Sequence, residues 1–322
     1  RFTDQQGITY HVLYLPAYAE VWKNQRTWLP ALTEFLGARY GRYPYPQFTV
    51  AQAGDGGMEY PMVTFITGNR SPGSLLGTTA HELAHEWFYG IVGSNEADYA
   101  WIDEGFANYI STEALAHVSG QGGASHANAL LSVVRARRYG FFEPLNTPSD
   151  WFETNSGYSV AAYAGGESLV EMLGYVISEP LREQWLREVV RRFLFRHPHP
   201  HDLEKVAEDV SGVQLDWFFS QLLNTPWDVD YGIRDLDSRP DGSGGWTTTI
   251  SLKRHGRTVL PVDLVLELED GRYQWVNVPL TIMAGHKPVP ENWIIGEPWP
   301  WTSSEHAVTV TLPARPVKAY LD

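Results

Sequence analysis

Two histidines four residues apart and a later glutamate have the residue types and the spacing of a metal site. His81 and His85 lie in the run Thr-Ala-His-Glu-Leu-Ala-His-Glu-Trp, and eighteen residues separate His85 from Glu104. On a helix, residues four apart share one face and are separated by roughly 6 Å along the axis, so both imidazoles can bind one ion. Two imidazoles and one carboxylate leave a fourth position for water, which is the pattern of a catalytic zinc site. The chain contains no cysteine, which excludes a closed thiolate site.

Glu82 lies between the two histidines and would flank the ion. Zinc lowers the pKa of bound water toward about 7, and a nearby carboxylate can accept the proton of that water. Glu104 precedes a second apolar-periodic stretch, so we expect a second helix that packs across from the first. Asn108, about one helical turn after Glu104, is a candidate to orient one of the ligands. The sequence therefore predicts a zinc hydrolase with one Zn²⁺ per chain.

The ligand spacing, with Glu-Gly at the third ligand, resembles the zinc metallopeptidase (gluzincin) family that includes aminopeptidase N and leukotriene hydrolase. The run Gly-Gly-Met-Glu-Tyr-Pro at residues 56–61 is similar to the Gly-x-Met-Glu-Asn motif of that family. The resemblance implies that Glu59 holds the free α-amine of the substrate, and that Gly57 and Met58 line the bound substrate. Tyr60 stands where the family usually has Asn.

The run Tyr-Ser-Val-Ala-Ala-Tyr-Ala-Gly-Gly at residues 158–166 is similar to a second family motif, in which two tyrosines are five residues apart. The resemblance implies that Tyr163 is the hydrogen-bond donor for the oxyanion that develops as the peptide carbonyl is attacked. It also implies that Tyr158 forms part of the active-site wall. Gly165 stands where the family often has Lys.

The resemblance implies a zinc aminopeptidase that hydrolyses the N-terminal bond of peptides with a free N-terminus. An epoxide hydrolase or a bifunctional hydrolase of the same family is a second hypothesis. A catalytically weak binding protein that retains zinc is a third, but the site residues are all present, whereas a decayed site usually loses one of them. These residues are His81, Glu82, His85, Glu104, Glu59 and Tyr163.

Apolar periodicity predicts an α+β chain with two domains. Residues 99–223 have helical periodicity, and the resemblance implies a mostly helical, thermolysin-like zinc catalytic domain over residues 1–224. Residues 225–322 alternate as strands and predict a small all-β sandwich. In the strand at 262–268 the alternation places leucines on the core face and Asp263 on the opposite face.

Two short strands are predicted around residues 48–51 and 61–66. Glu59 would then lie on or beside a sheet edge, where an extended peptide can add as a further strand. The zinc helix follows, and Ser74 and Thr78 are its candidate N-caps.

The net charge is −14 and the sequence pI is about 5.2. This acidity argues against nucleic acid or an anionic membrane as partner, and it fits a substrate with a positive terminus. No apolar run approaches the ~18 residues that a membrane span needs, and we expect a soluble protein, either cytoplasmic or exported. The chain opens on Arg1 rather than Met, and nothing in it corresponds to the N-terminal β-domain of the family. We therefore expect a fragment whose missing β-domain packs on the catalytic domain.

Overall fold

The computed structural model describes residues 1–54 and 56–322, and the chain divides into two compact units. Unit 1 comprises Arg1–Glu171 and Glu183–Val206, and unit 2 comprises Met172–Arg182 and Ala207–Asp322. The predicted α+β class is confirmed, because helices fill the middle of the chain and small sheets follow them. The predicted boundary after residue 224 stays a prediction.

Unit 1 contains a mixed five-stranded sheet with the order β1-β2-β3-β5-β4. The strands are β1 (Phe2–Thr3), β2 (Thr9–Leu13), β3 (Gln47–Ala53), β4 (Gly57–Tyr60) and β5 (Val63–Thr67). Strand β3 pairs in parallel with β2 and β5, whereas β4 pairs antiparallel with β5 and forms an edge. Glu59 lies on this edge strand opposite Thr64, which confirms its predicted place in the sheet.

Helices carry most of the remaining site residues. They are α1 (Ala19–Trp22), α2 (Gln25–Tyr40), α3 (Pro72–Ala84), α4 (Phe106–Val118), α5 (Ala127–Arg138), α6 (Asn155–Ser159), α7 (Gly166–Ile177), α8 (Glu179–Arg192), α9 (Pro200–Ser211) and α10 (Asp216–Asn224). Wider π-helical turns at Trp101–Gly105 and Val160–Gly165 lead into α4 and α7. Such turns occur frequently at functional sites. No helix among the described residues is long and apolar enough to span a membrane.

Helix α3, which carries the metal motif, is capped by Ser71. The Ser74 amide donates to Ser71 Oγ at 3.3 Å, and Pro72 occupies the first helical position. Proline suits that position because its φ is already helical and the missing N–H would have no intrahelical partner. The prediction of Ser74 or Thr78 as the cap was therefore wrong.

Tryptophan side chains form much of the core of unit 1, and each of four buried ones has a partner for its indole N–H. The donors and acceptors are Trp22 to Gly68 O at 3.0 Å, Trp87 to Gly41 O at 2.8 Å, Trp101 to Asn146 Oδ1 at 3.0 Å and Trp185 to Leu203 O at 2.9 Å. A buried indole N–H without a partner would destabilise the fold. These bonds therefore fix the large rings in one packing.

Unit 2 contains two small sheets, as the strand pattern predicts. One has the order β10-β9-β8-β12 and the other β11-β7-β6. Their strands are β6 (Tyr231–Pro240), β7 (Trp246–Arg254), β8 (Val262–Leu268), β9 (Tyr273–Val278), β10 (Ile294–Ile295), β11 (Glu305–Leu312) and β12 (Pro316–Leu321). The predicted alternation places the leucines of β8 in the core.

Asp263 on β8 departs from the predicted alternation, because it is buried and not on a solvated face. Its carboxylate accepts hydrogen bonds from Asn277 Nδ2 at 2.7 Å and from the Lys287 ammonium. Lys287 also donates to the carbonyl of Tyr175 at 3.0 Å. A buried charge persists when it is paired and hydrogen-bonded, and sequence alternation does not reveal such a partner.

Candidate active site

The structure brings the three predicted metal ligands together. His81 lies in the last turn of α3, and His85 follows as its C-cap with helical backbone angles. Their Nε2 atoms are 3.1 Å apart. Glu104 lies on the π-helical turn before α4, and its Oε2 is 3.1 Å from His81 Nε2 and 3.3 Å from His85 Nε2. The three side chains form a cluster that could hold a metal ion.

The donor atoms fit a tetrahedral zinc site. Zinc bonds of 2.0–2.2 Å to nitrogen and oxygen imply donor separations of about 3.3 to 3.6 Å along the edges of a tetrahedron. The observed separations of 3.1 to 3.3 Å are at or just below that range. Three protein donors of this type also leave one position for water or substrate.

Asp103 orients His85, a role that the sequence reasoning missed. Asp103 Oδ1 is 2.9 Å from His85 Nδ1, so a proton on Nδ1 leaves the lone pair of Nε2 free for a metal. The backbone carbonyl of Asn108 accepts from Ser111 Oγ, and the orienting role of its side chain stays a prediction. The acidic residue directly before Glu104 was the available signal for Asp103. Glu59, His85 and Asp103 form a second set of possible metal ligands, which shares His85 with the set His81, His85 and Glu104.

Opposite pKa shifts distinguish the ligand carboxylate from the carboxylate beside it. Burial disfavours a charge on Glu104, but hydrogen bonds from His81 and His85 outweigh it and hold its pKa well below the usual range. Burial raises the pKa of Glu82 to about 7. Burial also opposes a charge on His85, yet Asp103 and Glu104 raise the pKa of that imidazole.

Glu82 lies on α3, and its side chain packs against the edge of the sheet. Its side chain is almost fully buried, and Thr64 Oγ1 donates to its Oε2 at 3.4 Å. Gly57 passes so close that a Cβ atom there would lie 1.9 Å from Glu82 Oε1 and 3.0 Å from Thr78 Cγ2. A side chain at position 57 would therefore displace the end of the Glu82 side chain.

Glu59 is a buried carboxylate on the edge strand. Its exposed fraction is 8%, and no other described residue donates a hydrogen bond to its carboxylate. Burial raises its pKa to about 7. Met58 and Tyr60, its neighbours on β4, are exposed. A buried, unpaired carboxylate is costly, so this group is suited to receive a cation from a ligand.

Tyr163 lies on the π-helical turn Val160–Gly165, and Tyr158 lies on α6 directly before it. The Tyr163 hydroxyl donates to Glu104 Oε1 at 2.5 Å, and its ring stacks on His81 with centroids 5.8 Å apart. Burial and the charge of Glu104 raise the pKa of Tyr163. The Tyr158 ring packs edge-on against Phe152 at 5.4 Å. Burial and the Glu104 charge raise its pKa as well.

A glycine contact between two helical segments brings Tyr163 to Glu104. A Cβ atom on Gly105 would lie 2.4 Å from Gly166 Cα, and one on Gly166 would lie 2.7 Å from Gly105 Cα. The two backbones therefore lie closer together than residues with a Cβ atom would allow. Gly165, the departure from the family pattern, packs against Leu145 and not against the cluster.

Glu86 fixes the turn between β4 and β5. Both of its carboxylate oxygens accept from the Met62 amide, at 2.9 and 3.1 Å, and the Tyr43 hydroxyl donates to it at 3.2 Å. Met62 has a φ of 66°, which is unfavourable for a side-chain-bearing residue. The residue after His85 thereby holds the hairpin that carries Glu59.

Comparison with known proteins agrees with this geometry. The profile of the Peptidase family M1 domain matches residues 27–222, which include every residue of the cluster. Rabbit (Oryctolagus cuniculus) aminopeptidase N is 24% identical over 247 residues, which cover 73% of this chain and 24% of the relative. The puromycin-sensitive aminopeptidase of Caenorhabditis elegans is 24% identical over 284 residues, covering 77% of this chain and 27% of the relative. The chain spans about a quarter of the length of these curated relatives.

Solved structures share the fold. Aminopeptidase A of Legionella pneumophila aligns over 98% of this chain and 35% of its own, with a TM-score of 0.68 at 13% identity. An M1 zinc metallopeptidase variant from Deinococcus radiodurans, bound to a Tyr-Ser-Ala substrate, aligns over 60% of this chain and 43% of its own, with a TM-score of 0.50 at 22% identity. Because the family profile matches more than half of the sequence, the chain belongs to peptidase family M1.

Proposed function

We propose that this protein is a zinc-dependent aminopeptidase that removes the first residue from peptides with a free N-terminus. The observation that carries the proposal is Glu59 on the edge strand β4, a buried carboxylate to which no other described residue donates a hydrogen bond. Glu59 also belongs to a group of possible ligands that shares His85 with the metal cluster. A peptide that adds to this edge could present its terminal ammonium to the Glu59 carboxylate. The resemblance to M1 aminopeptidases supports the same conclusion.

His81, His85 and Glu104 would hold the zinc ion. When bound, zinc supplies a Lewis acid and lowers the pKa of a water molecule toward about 7. Two imidazoles and a carboxylate form a donor set that suits Zn²⁺. Asp103 keeps the His85 proton on Nδ1, so that Nε2 remains a ligand.

Glu82 acts as the general base in this proposal. A pKa near 7 matches a base that must accept a proton at neutral pH and later release it to the leaving amine. Its position is restricted by Gly57 on one side and Thr64 on the other. The carboxylate is thus held beside the cluster before a substrate binds.

Glu59 makes the enzyme an exopeptidase. Its carboxylate would bind the α-ammonium with a charge-assisted hydrogen bond, and this contact fixes the first peptide bond at the cluster. A chain that continued beyond that amine would have to leave the Glu59 carboxylate unpaired. The substrate-bound structure of the Deinococcus relative is consistent with a peptide substrate for this family.

Tyr163 supplies a hydrogen bond to the developing oxyanion. Its hydroxyl now donates to Glu104, one of the proposed ligands, and a small rotation would aim it at a substrate oxygen beside the same cluster. A raised pKa keeps the phenol protonated, and therefore a donor, at every pH at which the enzyme would work. Tyr158 is a wall of the same site.

The direct test is hydrolysis of aminoacyl-fluorophore substrates by chelator-treated protein before and after one equivalent of zinc is added. We expect no hydrolysis without zinc and recovery with it. His81→Ala should lose both zinc and activity, whereas His201→Ala, a matched control at an exposed histidine, should keep both. Failure of the zinc-loaded protein to hydrolyse any substrate, or activity in His81→Ala, would overturn the proposal.

A further inference from the structure

Glu86 is a buried carboxylate that joins the end of the metal-binding helix to the sheet. Its exposed fraction is 2%, and it directly follows His85, the C-cap of α3. The Met62 amide donates to its two carboxylate oxygens at 2.9 and 3.1 Å, and the Tyr43 hydroxyl donates to it at 3.2 Å. These donors replace the water that the carboxylate loses on burial. Glu86 therefore has its hydrogen bonds within the protein and none to spare for a ligand.

Tyr43 gives this carboxylate a rigid support. Its side chain is buried, and its ring packs against those of Phe48 and Trp87, with centroids 6.2 and 5.8 Å away. Both of these neighbours are fully buried. Side chains in such a core are close-packed, so the hydroxyl has a fixed position. Glu86 cannot turn away from Met62 without losing its bond to Tyr43.

Met62 is held from both sides in a conformation that favours glycine. Its φ is 66°, in the left-handed region that a residue with a Cβ atom rarely adopts. Its amide donates to Glu86, and its carbonyl accepts from the Thr49 amide of β3 at 2.9 Å. A strained backbone persists only where its surroundings hold it in place. Without the bond to Glu86, the chain at Met62 would relax toward a more favourable φ.

The turn at Met62 leads directly to the proposed substrate anchor. Glu59 precedes Met62 by three residues and lies on β4, which has only four residues and pairs with β5 alone among the described strands. The other side-chain bond to this strand is donated by Thr64 Oγ1 to the carbonyl of Met58 at 3.0 Å. A short edge strand with so few attachments follows the backbone of its turn. A change of φ at Met62 would therefore displace the carboxylate of Glu59.

We propose that Glu86 is a positioning residue for the substrate's α-amine: by holding Met62 in the left-handed conformation, it fixes the strand that carries Glu59. The proposal rests on the aminopeptidase function, because it takes Glu59 as the anchor of that amine. Glu86 acts through Met62 and does not touch the substrate. Charge-assisted hydrogen bonds need close approach, and a displacement of about 1 Å can lower a rate about 10²-fold. The loss should appear only for substrates whose amine is free.

The kinetic test compares the free and the N-acetylated form of one peptide. We expect Glu86→Ala to lower the ratio of their kcat/KM values about tenfold, because only the free peptide uses Glu59. Glu86→Gln should keep most of the wild-type ratio, since its amide oxygen can still accept from the Met62 amide. Both variants should bind one zinc per chain. A wild-type ratio in Glu86→Ala would overturn the proposal.

Asp263→Ala is the matched control for a loss of stability. Asp263 is as buried as Glu86 and accepts hydrogen bonds from two side chains, but it lies on β8 in unit 2. We expect this variant to lower the midpoint of thermal unfolding and to leave the free-to-acetylated ratio unchanged. If Asp263→Ala lowered the ratio as much as Glu86→Ala does, the ratio would report stability, and the positioning role would be rejected.

Met62→Gly tests the strain directly. Glycine adopts the observed φ readily, so the turn no longer depends on Glu86. We expect Glu86→Ala to lower the ratio less in the Met62→Gly background than in wild type. Met62→Ala, which shortens the side chain but keeps its Cβ atom, should leave the effect at full size. An equal effect in both backgrounds contradicts the proposal; if Glu86→Ala alone does not fold, rescue by Met62→Gly and not by Met62→Ala decides the question.

A binding measurement separates this proposal from the proposed reaction. Calorimetry with leucinamide and N-acetyl-leucinamide requires no turnover and reports recognition of the amine. We expect wild type to bind leucinamide more tightly, Glu86→Ala to lose most of that preference and Glu86→Gln to keep it. If the protein hydrolyses no substrate but shows this pattern, the positioning role stands and the reaction assignment fails. Equal binding of the two amides by wild type, or an unchanged preference in Glu86→Ala, overturns the positioning role.

Discussion

Glu82 and Glu104 both interact electrostatically with His81 and His85, but their surroundings give the two carboxylates opposite pKa shifts. Hydrogen bonds from His81 and His85 keep Glu104 ionised, as a metal ligand must be. Among the described residues, Glu82 receives a hydrogen bond only from Thr64, at 3.4 Å, and burial raises its pKa to about 7. Environments that separate the pKa values of neighbouring acids are a common basis for assigning catalytic roles.

Replacing the proposed general base separates metal binding from catalysis. Glu82→Gln keeps the size and most of the packing of the side chain but cannot accept a proton. We expect the variant to bind one zinc per chain, because His81, His85 and Glu104 are intact, and to lose turnover by at least about 10²-fold. Metal analysis together with turnover checks this. Loss of zinc in the variant would mean that Glu82 has a structural role instead.

Removing one hydroxyl tests the proposed oxyanion donor. Tyr163→Phe leaves the ring that stacks on His81 and deletes only the donor. We expect kcat to fall about 10²- to 10³-fold, which corresponds to roughly 2.7–4 kcal/mol, with little change in KM. Steady-state kinetics provide the measurement. Wild-type turnover would move the role to another donor, with Tyr158 the next candidate.

At this scale, the sequence predicted residues whose geometry is local and missed those whose role depends on contacts between segments. Helical spacing alone places His81 and His85 on one face. Asp103 orients His85 across eighteen residues, and Thr64 reaches Glu82 from a strand. Neither contact leaves a periodic signal, because both depend on how separate elements pack.

The edge strand β4 is the element that combines substrate binding with the general base. Its residue Glu59 would anchor the substrate, while Gly57 passes against the carboxylate of Glu82. Sequence periodicity and the motif predicted the edge position. The close approach at Gly57 could not be predicted from the sequence, since it depends on the distance between the strand and α3.

A single methyl group on this strand should displace the base. In Gly57→Ala, the new Cβ would lie 1.9 Å from Glu82 Oε1, so the flexible end of the glutamate must move. We expect kcat to fall by up to about 10²-fold with little loss of thermal stability, because only a side chain shifts. Gly54→Ala is the matched control, since a Cβ there meets nothing within 4 Å. Unchanged kinetics in Gly57→Ala would argue against the proposed position of the base.

The helical segments that meet at Gly105 and Gly166 were also only partly predictable from the sequence. Periodicity predicted helical structure over residues 99–223, and the structure confirms helical segments on both sides of this contact. It did not predict the π-helical turns or the glycine contact between them. These details bring Tyr163 to Glu104, and they arise from the tertiary packing of two backbones.

At the scale of the whole molecule, two of the acidic residues of unit 1 flank a buried histidine. His126 Nδ1 is 2.8 Å from Glu167 Oε1, and its ring stacks on Tyr109 at 4.3 Å. Glu113 lies on the other side of the imidazole at 3.4 Å and also pairs with Arg39 at 2.5 Å. Net charge predicted none of this arrangement, because it contains no information about which acids are buried together.

This group makes stability dependent on pH. Burial opposes a charge on His126, but Glu113 and Glu167 outweigh it and raise its pKa from 6.5 to about 9. A raised histidine pKa contributes stability below the unfolded value near 6.5, and this contribution is lost as pH rises through about 9. We expect His126→Gln to lower the free energy of unfolding by on the order of 1–3 kcal/mol at pH 6 and by less at pH 9.5.

Urea unfolding of wild type and variant at both pH values provides the measurement. His201→Gln, at an exposed histidine, should show no such pH-dependent difference. A loss in His126→Gln that is the same at pH 6 and pH 9.5 would contradict the assignment of a charged imidazolium.

The central claim is that a metal centre and the Glu59 carboxylate together make an aminopeptidase. The most direct measurement is mass spectrometry of the products from one peptide, with a free or an acetylated N-terminus, after incubation with the zinc-loaded protein. Acetylation removes the ammonium and leaves Glu59 buried and unpaired, at a cost on the order of 2–3 kcal/mol, so the free peptide should be cleaved about 30- to 150-fold faster. We predict stepwise loss of the first residue from the free peptide and almost none from the blocked one. Equal cleavage of both peptides, or cleavage at internal bonds, would contradict the account.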